Sequence, residues 1–438
     1  MKRVQRGPRV CWRTRGKNES HSIFGSLGSP NYALHNLGCL LTRRGFFRGG
    51  GIAAMLGLFG ANRACGAKKG AVTTYETIGV RPVINCWGTM TILSGSLMLP
   101  EVCAAIDEAG KHYVHMDELM EGAGRRLAEL TGAEWGIVTS GAAGALAGST
   151  AACMAGADPE KMAMLPITTG MKNEVLVHKS HRNIYDRSVW MTGAQMVEYD
   201  SRDSMEAAVN DKTAMIMVLS EAFDNNKAIT LEDIVAVGKK HGIPILVDAA
   251  AERPDVPNYY LKAGADLVTY SGGKCLRGPQ SAGLLLGRKD LCQAAFLNIA
   301  PHHGFGRPMK VGKEEVIGML TALDMWINYR DHKAEFREWE RKLGHIAKAA
   351  MRTPGVNATI NQPKGRSNVA PTLSISWDTK KVRLAPDEAH RLLREGKPRI
   401  WMPSSGRGLS IMSYMMEKGD EVIIAKRLRE IFSAAAKA

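Results

Sequence analysis

The chain has 438 residues, of which 45% are hydrophobic, and this is enough to bury a core in more than one domain. It contains no run of 18 or more apolar residues, so we expect no membrane span in the mature body. Of the net charge of +15, residues 1–70 carry +12 and the remaining 368 residues only +3. Because the folded body is close to charge balance, we expect no nucleic-acid partner for it.

Residues 1–70 have the features of a leader. The stretch TRRGFFR at 42–48 precedes an apolar, glycine-rich segment, and small residues follow at 64–67. This order resembles a twin-arginine export signal, which predicts a periplasmic or extracellular protein. A basic tail with a chance arginine pair is the alternative, and it would leave the protein cytoplasmic. Lipidation at Cys65, the cleavage site and the true start codon stay open.

The eight cysteines predict neither a disulfide framework nor a metal site. Three lie in the leader, and the other five are scattered through the body without a C-x-x-C pair or a histidine at zinc spacing. Such a distribution is typical of buried thiols.

The body divides into an N-terminal arm at 71–100, a large domain at 101–312 and a linking helix with a small domain at 313–438. The arm is extended and turn-rich, and apolar spacing predicts one helix from Pro100 to Leu130. Residues 132–156 then give a strand, a glycine turn and a helix of small residues. Short apolar runs alternate with helical segments after that, which predicts an α/β fold with a mainly parallel sheet buried on both faces. These runs are EVLVH, AQMVEY, TAMIMVLS, PILVDAAA, ADLVTYS and AGLLLG.

The C-terminal part opens on a linking helix. The pattern from Lys313 to about Met351 predicts one long helix between the two domains. Residues 352–438 mix short strands, TLSISW and GLSIM, with two helical segments, which predicts a small α+β domain.

Three features of the large domain point together to one cofactor. Residues 139–144, TSGAAG, form a turn that opens a helix and offers N–H groups to a phosphate. Asp248 follows a buried strand, at the sheet edge where α/β proteins bind ligands. Lys274 lies among glycines after the next strand, and we expect these glycines to let the backbone turn sharply, so that the lysine can reach a carbonyl in the crevice. Pyridoxal phosphate needs a phosphate cradle, an anion for its ring nitrogen and a lysine for its aldehyde.

Each of these features alone has a structural explanation. The glycine turn could be an ordinary strand-to-helix connection, Asp248 an N-cap or a structural ion pair, and Lys274 a solvated side chain. The order of the three along one α/β scaffold is what favours the cofactor.

The chain resembles the fold-type-I pyridoxal phosphate enzymes, and most of all the group that includes bacterial selenocysteine synthase and D-glucosaminate-6-phosphate ammonia-lyase. The likeness spans residues 75–330. It implies the transferase fold of the aspartate aminotransferase type and at least a homodimer, with a site closed by the neighbouring subunit. It is carried by RPVINCWGT, LTGAEWGIVTSGAAGAL, HGIPILVDAAAERP, GADLVTYSGGKCLRGPQSAGLLLGRKDL and GRPMKVGKEEVIGMLTAL.

The resemblance also implies roles for single residues. Lys274 would hold the cofactor and move the substrate's α-proton, and Asp248 would pair with the ring nitrogen. His181 would stack on the ring, with His178 as its rival and an ordinary surface histidine as the alternative. The phosphate would be bound by Ser140, Gly141, Ala142 and Ser271. The substrate candidates in the arm and at the mouth are Asn85, Thr89, Thr91, Gln280, Arg307 and Lys313, and the further basic candidates are Arg277, Lys310, Arg399 and Arg407.

The predicted function is lyase chemistry on a small amino acid or amino-sugar acid. Lys274 would remove the α-proton, a β-leaving group would depart, and ammonia would be released. Racemisation and deamination share the first step, so the sequence does not separate them. Selenium transfer onto seryl-tRNA is one alternative, although the export signal and the balanced charge of the body weigh against it. A non-catalytic exported binding protein on the same fold is the other.

Overall fold

A computed structural model describes residues 73–220, 229–403 and 406–437, which belong to one compact unit beginning at Thr73. The leader, with its arginine pair and Cys65, lies outside the described residues. The strands are β1 (Val83–Asn85), β2 (Trp135–Thr139), β3 (Glu174–His178), β4 (Gln195–Tyr199), β5 (Thr213–Leu219), β6 (Ile245–Asp248), β7 (Leu267–Ser271), β8 (Gly283–Gly287), β9 (Val356–Asn361), β10 (Thr372–Trp377), β11 (Arg399–Trp401) and β12 (Leu409–Met412).

The α-helices follow the same chain order. They are α1 (Pro100–Ala109), α2 (Met116–Thr131), α3 (Gly141–Ala155), α4 (Pro159–Met164), α5 (Arg187–Trp190), α6 (Arg202–Ala208), α7 (Leu231–His241), α8 (Tyr259–Ala263), α9 (Lys289–Asn298), α10 (Lys313–Asp324), α11 (His332–Ala350), α12 (Pro386–Glu395) and α13 (Asp420–Lys437). Short 3₁₀ turns lie at Glu76–Ile78, Thr91–Leu93, Lys179–His181 and Ile184–Asp186, and a π-turn at Met325–Tyr329.

The large domain is built on a seven-stranded sheet with the order β2-β8-β7-β6-β5-β3-β4. Strand β8 runs antiparallel to β2 and β7, and the other neighbouring pairs are parallel. Strands β2, β6 and β8 are buried at every residue. Their continuous apolar sequences arise because helices cover both faces of the sheet. The predicted α/β fold with a mainly parallel sheet is confirmed.

The helices begin and end where the sequence supplies caps. Thr230 caps α7 through a capping box with Asp233, and Gly242 ends the helix in the left-handed conformation. Helix α3 consists almost wholly of small residues and is buried along nearly its full length. Small side chains let it lie close against the sheet, so that its N-terminus reaches the carboxyl ends of the strands.

The small domain has a three-stranded antiparallel sheet, β12-β10-β9. The arm contributes the separate strand β1, which pairs in parallel with β11. The predicted strands TLSISW and GLSIM correspond to β10 and β12, whereas neither β9 nor the pairing of the arm with β11 was predicted.

Two predicted continuous helices are interrupted. The segment from Pro100 to Leu130 is two helices, because α1 ends at Ala109, a turn at 110–111 and an irregular stretch follow, and α2 begins only at Met116. The segment from Lys313 to Met351 is also two helices, because the π-turn ends at an extended Arg330. Asp331 then starts α11 by accepting the N–H of Ala334 at 2.9 Å.

The buried side chains form two hydrophobic clusters. The first surrounds the seven-stranded sheet and also contains residues of α10 together with Trp326, Ala370, Tyr414 and Met415. The second lies in the small domain and includes Ile84 and Cys86 of the arm. The arm is therefore part of the hydrophobic core of the small domain.

Candidate active site

A cavity of about 260 Å³ opens at the carboxyl ends of β5, β6 and β7, between the N-terminus of α3 and the arm. This is the edge at which open α/β sheets bind their ligands. Its lining residues are Thr91, Gly141, Ala142, Ala143, Leu146, Asn183, Tyr185, Leu219, Ser220, Asp248, Ala250, Ala251, Ser271, Lys274 and Gln280. The predicted residues that meet there are Lys274, Asp248, Ser271, Gly141, Ala142, Thr91 and Gln280.

The N-terminus of α3 forms an anion-binding end of the cavity. Gly283 begins β8 and pairs with Thr139 on one side and Ser271 on the other. A Cβ atom on Gly283 would lie 2.4 Å from the carbonyl carbon of Gly141 and 2.6 Å from the nitrogen of Ala142. Only glycine lets the helix start this close to the sheet. The first N–H groups of a helix have no intrahelical acceptor, so a phosphate in the cavity would find donors and the positive end of the helix dipole.

Asp248 lies at the carboxyl end of β6 and is almost fully buried. The sheet sets it in register with Leu219 on one side and Thr269 on the other. Its Oδ1 accepts the N–H of Ala250 at 3.0 Å. A buried carboxylate is costly unless charge or donors compensate for lost water, so it suits a protonated ring nitrogen.

Lys274 follows β7 on a turn whose glycines serve close packing. Residues 272–276 form the predicted turn, but neither Gly272 nor Gly273 has a positive φ, so the turn does not depend on a left-handed glycine. A Cβ on Gly273 would lie 2.7 Å from the Cα of Gln280, and one on Gly272 would lie 2.8 Å from the carbonyl oxygen of Ala282. Both glycines let the turn pack against the residues that lead into β8, and this places Lys274 in the cavity wall.

The arm is hydrogen-bonded to this turn. The N–H of Ser96 donates to the carbonyl of Gly273 at 2.9 Å. The side-chain amide of Gln280 donates to the carbonyl of Thr91 at 3.2 Å. Gln280 therefore lines the cavity and also fixes the arm beside it.

Arg277, a further basic candidate for the substrate, has a structural role instead. Its Nε donates to the carbonyl of Leu97 at 2.8 Å, and its guanidinium pairs with Glu417 at 3.2 Å. The side chain thus ties the turn after Lys274 to the arm and to the small domain.

The segment after β3 supplies another wall of the cavity. His181 is fully buried, and its Nδ1 accepts the N–H of Leu219 at 3.4 Å. Asn183 and Tyr185 line the cavity, which His181 does not. Asn183 forms a capping box with the buried Asp186, which fixes the short turn that carries Tyr185. Tyr185 is therefore an aromatic residue of this segment at the cavity wall, and the capping pattern N-x-x-D is the sequence signal that could have found its turn.

Besides the two histidines and Arg277, eight predicted residues lie away from the cavity lining. The amide of Asn85 accepts the N–H groups of Trp87 and Gly88 within the arm. Lys313 donates to the carbonyl of Ala109 at 2.9 Å and pairs with Glu314, so it joins α10 to α1. The other six are Ser140, Thr89, Arg307, Lys310, Arg399 and Arg407.

Other kinds of site were also considered in the described part of the chain. It contains no group of three or more His, Cys, Asp or Glu side chains placed to hold a metal ion. The five cysteines described there are free thiols, but the prediction that they are buried is wrong for Cys103, which is exposed, and Cys153 is only half-buried. None of its helices is long and apolar enough to cross a membrane.

The donor set of the cavity fits pyridoxal phosphate. A helix N-terminus and Ser271 suit the phosphate, the Asp248 carboxylate suits the ring nitrogen, and the Lys274 amine suits the aldehyde. A Cβ on Gly141 would meet no atom within 4 Å, so there is open space at the phosphate end.

Comparison with known proteins agrees with this fit. The family model for Cys/Met metabolism PLP-dependent enzymes matches residues 120–300. D-glucosaminate-6-phosphate ammonia lyase from Salmonella typhimurium is 31% identical over 375 residues, covering 83% of this chain and 98% of the relative. A solved structure of D-glucosaminate-6-phosphate ammonia-lyase superposes with a TM-score of 0.72 at 29% identity, covering 84% of this chain and 100% of that one.

Two further relatives are named for other reactions. A 5'-C-glycyluridine monooxygenase-decarboxylase from a Streptomyces species is 33% identical over 306 residues, covering 67% of this chain and 75% of the relative. The L-seryl-tRNA(Sec) selenium transferase of Proteus mirabilis is 26% identical over 290 residues, covering 59% of each chain.

Proposed function

This chain belongs to the family of fold-type-I pyridoxal phosphate enzymes that includes D-glucosaminate-6-phosphate ammonia lyase, and from this membership we propose that it eliminates a β-substituent from an amino-sugar acid and releases ammonia. The observation that carries the proposal is the meeting of Lys274, Asp248 and the N-terminus of α3 in one cavity. The first compound to test is D-glucosaminate 6-phosphate, a 2-amino acid with a hydroxyl on carbon 3.

Each residue of the cavity would have a separate role in the proposed reaction. Pyridoxal phosphate, when bound, supplies an electron sink for negative charge at the substrate's α-carbon. Lys274 Nζ would hold the cofactor and take the α-proton, and the Asp248 carboxylate would keep the ring nitrogen protonated. The N–H groups that open α3, with Ser271, would hold the phosphate. The hydroxyl on carbon 3 leaves as water after accepting a proton, and hydrolysis then frees ammonia and leaves a 2-keto-3-deoxy acid.

Tyr185 is the ring residue that we propose for the cofactor face in place of His181. It lines the cavity on a turn that Asn183 and Asp186 fix, whereas the ring of His181 is wholly buried. An aromatic face beside a planar heterocycle would add stacking without using a hydrogen bond.

The test of the lysine is chemical trapping. Purified protein that begins at Thr73 is given pyridoxal phosphate, reduced with borohydride and mapped by peptide mass. We expect the label on Lys274 and its loss in Lys274→Ala, with Lys310→Ala as the control because Lys310 is exposed nearby. A folded wild-type chain that takes up no label would overturn the proposal in favour of a binding protein on the same fold.

The reaction class is then tested by its products. Release of ammonia and a keto acid in equal amounts from D-glucosaminate 6-phosphate, without oxygen uptake, is the expected result. Uptake of oxygen with release of carbon dioxide from a glycyl-nucleoside would instead place the chain with its monooxygenase-decarboxylase relative. Tight, salt-sensitive binding of serine tRNA in a gel shift would favour selenium transfer.

We propose further that residues 1–70 export the folded protein. The support is the sequence order of the arginine pair, the apolar segment and the small residues. A fusion of residues 1–70 to a folded reporter should reach the periplasm, and a fusion with Arg43→Lys and Arg44→Lys should not. An unchanged distribution would contradict export by this route.

We also propose that two copies of the chain associate. Tyr75, Val80, Ile92 and Leu97 of the arm are exposed apolar residues that line one groove. The neighbouring residue Thr91 lines the active cavity. A second copy on the groove would therefore cover apolar surface beside the site.

A further inference from the structure

Arg330 is a nearly buried arginine at the joint between the π-turn and α11. Only 6% of its side chain is exposed. The chain is extended there, with φ −83° and ψ 131°, so the residue belongs to neither helix. Burying a guanidinium costs free energy unless every donor has a partner, so its contacts show what it holds.

The guanidinium of Arg330 has three short hydrogen bonds. Its Nε and one terminal nitrogen each donate to an oxygen of Glu335 at 2.8 Å, in a forked pair. The other terminal nitrogen donates to the carbonyl oxygen of Cys275 at 2.7 Å. The plane also lies 4.8 Å from the ring of Trp326. The pair with Glu335 neutralises the charge, and the third bond is directed at the main chain next to Lys274.

Charge on Glu335 is maintained over the working pH range. Burial acts to raise the pKa of Glu335, but the contact with His332, the hydrogen bonds from Arg330 and the positive charge of Arg330 lower it to about 2. The carboxylate therefore stays ionised and keeps the fork of Arg330 in one orientation.

Cys275 is held from a second side as well. Its Sγ donates to the carbonyl oxygen of Glu252 at 3.2 Å. Glu252 itself accepts the hydroxyl of Tyr260 at 2.7 Å and a nitrogen of Arg366 at 3.3 Å, so its loop is fixed. The residue after Lys274 is thus fastened both at its carbonyl and at its side chain.

We propose that Arg330 is a positioning residue that fixes the direction of the Lys274 side chain through the carbonyl of Cys275. This inference rests on the proposed role of Lys274. The carbonyl of Cys275 belongs to the peptide unit between Cys275 and Leu276, one unit beyond the one that directly follows Lys274. Arg330 restrains that unit, and with it the turn that carries Lys274, from a joint outside the cavity. Only a guanidinium can span the carboxylate and the carbonyl together, because its donors form a planar fork, whereas a lysine amine would serve one partner.

The experiment measures two local responses in Arg330→Lys and Arg330→Gln chains, the first on chains loaded with pyridoxal phosphate and the second on chains freed of it. The first is the rate at which iodoacetamide alkylates Cys275, compared with Cys292 in the same molecules by peptide mass. Both thiols are buried, but Cys292 lies on α9, away from the turn. We expect alkylation of Cys275 to rise about tenfold or more while that of Cys292 stays as in the wild type, since only the turn is released.

Loss of the positive charge of Arg330 would by itself slow the alkylation of Cys275, so a faster alkylation is informative. Burial raises the pKa of Cys275 to about 11, and the charge of Arg330 partly offsets that rise. Losing the charge in Arg330→Gln would leave less thiolate at neutral pH. Faster alkylation would therefore report exposure of the thiol and not a change in its ionisation.

The second response is the rate at which Lys274 becomes labelled when borohydride follows a short exposure to added cofactor. We expect it to fall about tenfold or more, because a displacement of about 1 Å can cost up to a hundredfold in rate. The matched control is Arg391→Lys. Arg391 also has three hydrogen bonds, to Glu388 and Glu395, but it lies exposed on α12, and its loss should change neither response.

Several outcomes would overturn the inference. Unchanged alkylation and labelling in Arg330→Lys would do so, and so would a parallel rise of Cys275 and Cys292, which would mean general destabilisation. If Arg330→Gln does not fold, the same two rates are measured in Glu335→Gln. This variant removes the carboxylate that orients the guanidinium of Arg330 and leaves the charge of Arg330 in place. A wild-type chain without label on Lys274 would remove the proposed role of Lys274, while the alkylation ratio would still decide whether Arg330 holds the turn.

Discussion

Glycines at the site act mainly through the space that they leave. At residues 272 and 273 the sequence correctly marked a special turn, but the reason is contact with Gln280 and Ala282 and not an unusual φ. A pattern of glycines in the sequence indicates that there is no room for a side chain at those positions. It does not indicate which neighbouring residue fills the space. The neighbours lie just before β8, whose antiparallel course the sequence does not reveal.

Gly283 offers the sharpest test of the phosphate end. In Gly283→Ala the new Cβ would meet the backbone of Gly141 and Ala142 at 2.4 and 2.6 Å, so the start of α3 must move. We expect the affinity for pyridoxal phosphate to fall about tenfold or more, since the N–H groups lose their alignment. Fluorescence titration would measure it.

The control for this change is Gly344→Ala on α11. A Cβ there meets no atom within 4 Å, and the residue has no positive φ. Alanine should stabilise the helix by up to about 1 kcal/mol and leave the cofactor affinity unchanged. Equal affinities for the two variants and the wild type would contradict the assignment of the cradle.

His181 is expected to influence stability at acid pH. Burial, with a smaller contribution from the charge of His178, lowers the pKa of His181 from 6.5 to about 4. The unfolded chain therefore takes up this proton at higher pH than the folded one. The stabilisation is complete above pH 6.5 and is lost as the pH falls towards 4, to an extent on the order of 3 kcal/mol.

Urea unfolding between pH 7 and pH 4 measures this effect. His181→Gln should be less stable at pH 7 but should show a flatter dependence of the unfolding free energy on pH. His345→Gln, at an exposed position of α11, should keep the wild-type dependence. A His181→Gln chain with the same slope as the wild type would show that other groups determine the acid response.

At the scale of elements, periodicity predicts what is buried and misses where tertiary contacts interrupt a helix. The strands of the large sheet follow from their continuous apolar runs. The break at Arg330 does not, because it arises from contacts with Glu335 and Cys275, which lies far away in sequence. The pairing of β1 with β11 was missed for the same reason, since three residues of the arm carry no signal for a partner about 300 residues on.

Strand β1 is expected to stabilise the small domain although it lies at the start of the body. Ile84 and Cys86 belong to the second hydrophobic cluster, and the N–H of Cys86 donates to the carbonyl of Trp401 at 2.8 Å. A chain that begins at Gly88 should lose about 2–4 kcal/mol of unfolding free energy relative to one that begins at Thr73. Urea denaturation gives both values.

A chain that begins at Val80 is the matched truncation. It removes the exposed turn at Glu76–Ile78 and keeps all of β1. Its unfolding free energy should equal that of the longer chain within error. A loss already complete in this truncation would show that residues 73–79 carry the stability instead of β1.

At the scale of the molecule, more of the residues predicted for the cofactor line the cavity than of those predicted for the substrate. Lys274, Asp248, Ser271, Gly141 and Ala142 all meet in the cavity, because strand ends and a helix start are fixed by the fold. Asn85, Arg307 and Lys313 do not line it. Position along the sequence was the only signal that placed these basic side chains near the mouth of the cavity. In the structure, Lys313 joins two helices instead.

The last prediction is that two chains associate through the exposed apolar groove of the arm. Ile92 is 78% exposed and Leu97 58%, and both line the groove beside the cavity. Large apolar patches on a folded protein usually mark an interface. Light scattering on a chain that begins at Thr73 should therefore give at least twice the mass of one chain.

The charged double variant Ile92→Asp with Leu97→Asp should shift the mass to that of a single chain and weaken the binding of pyridoxal phosphate, because the groove adjoins Thr91 in the cavity wall. Val422→Asp, at an exposed apolar position on α13, should change neither. A wild-type chain with the mass of one copy and full cofactor affinity would contradict the proposal, since the site would then be complete within one chain. A double variant that stays associated but binds the cofactor poorly would place the interface elsewhere and leave the groove a role in the site alone.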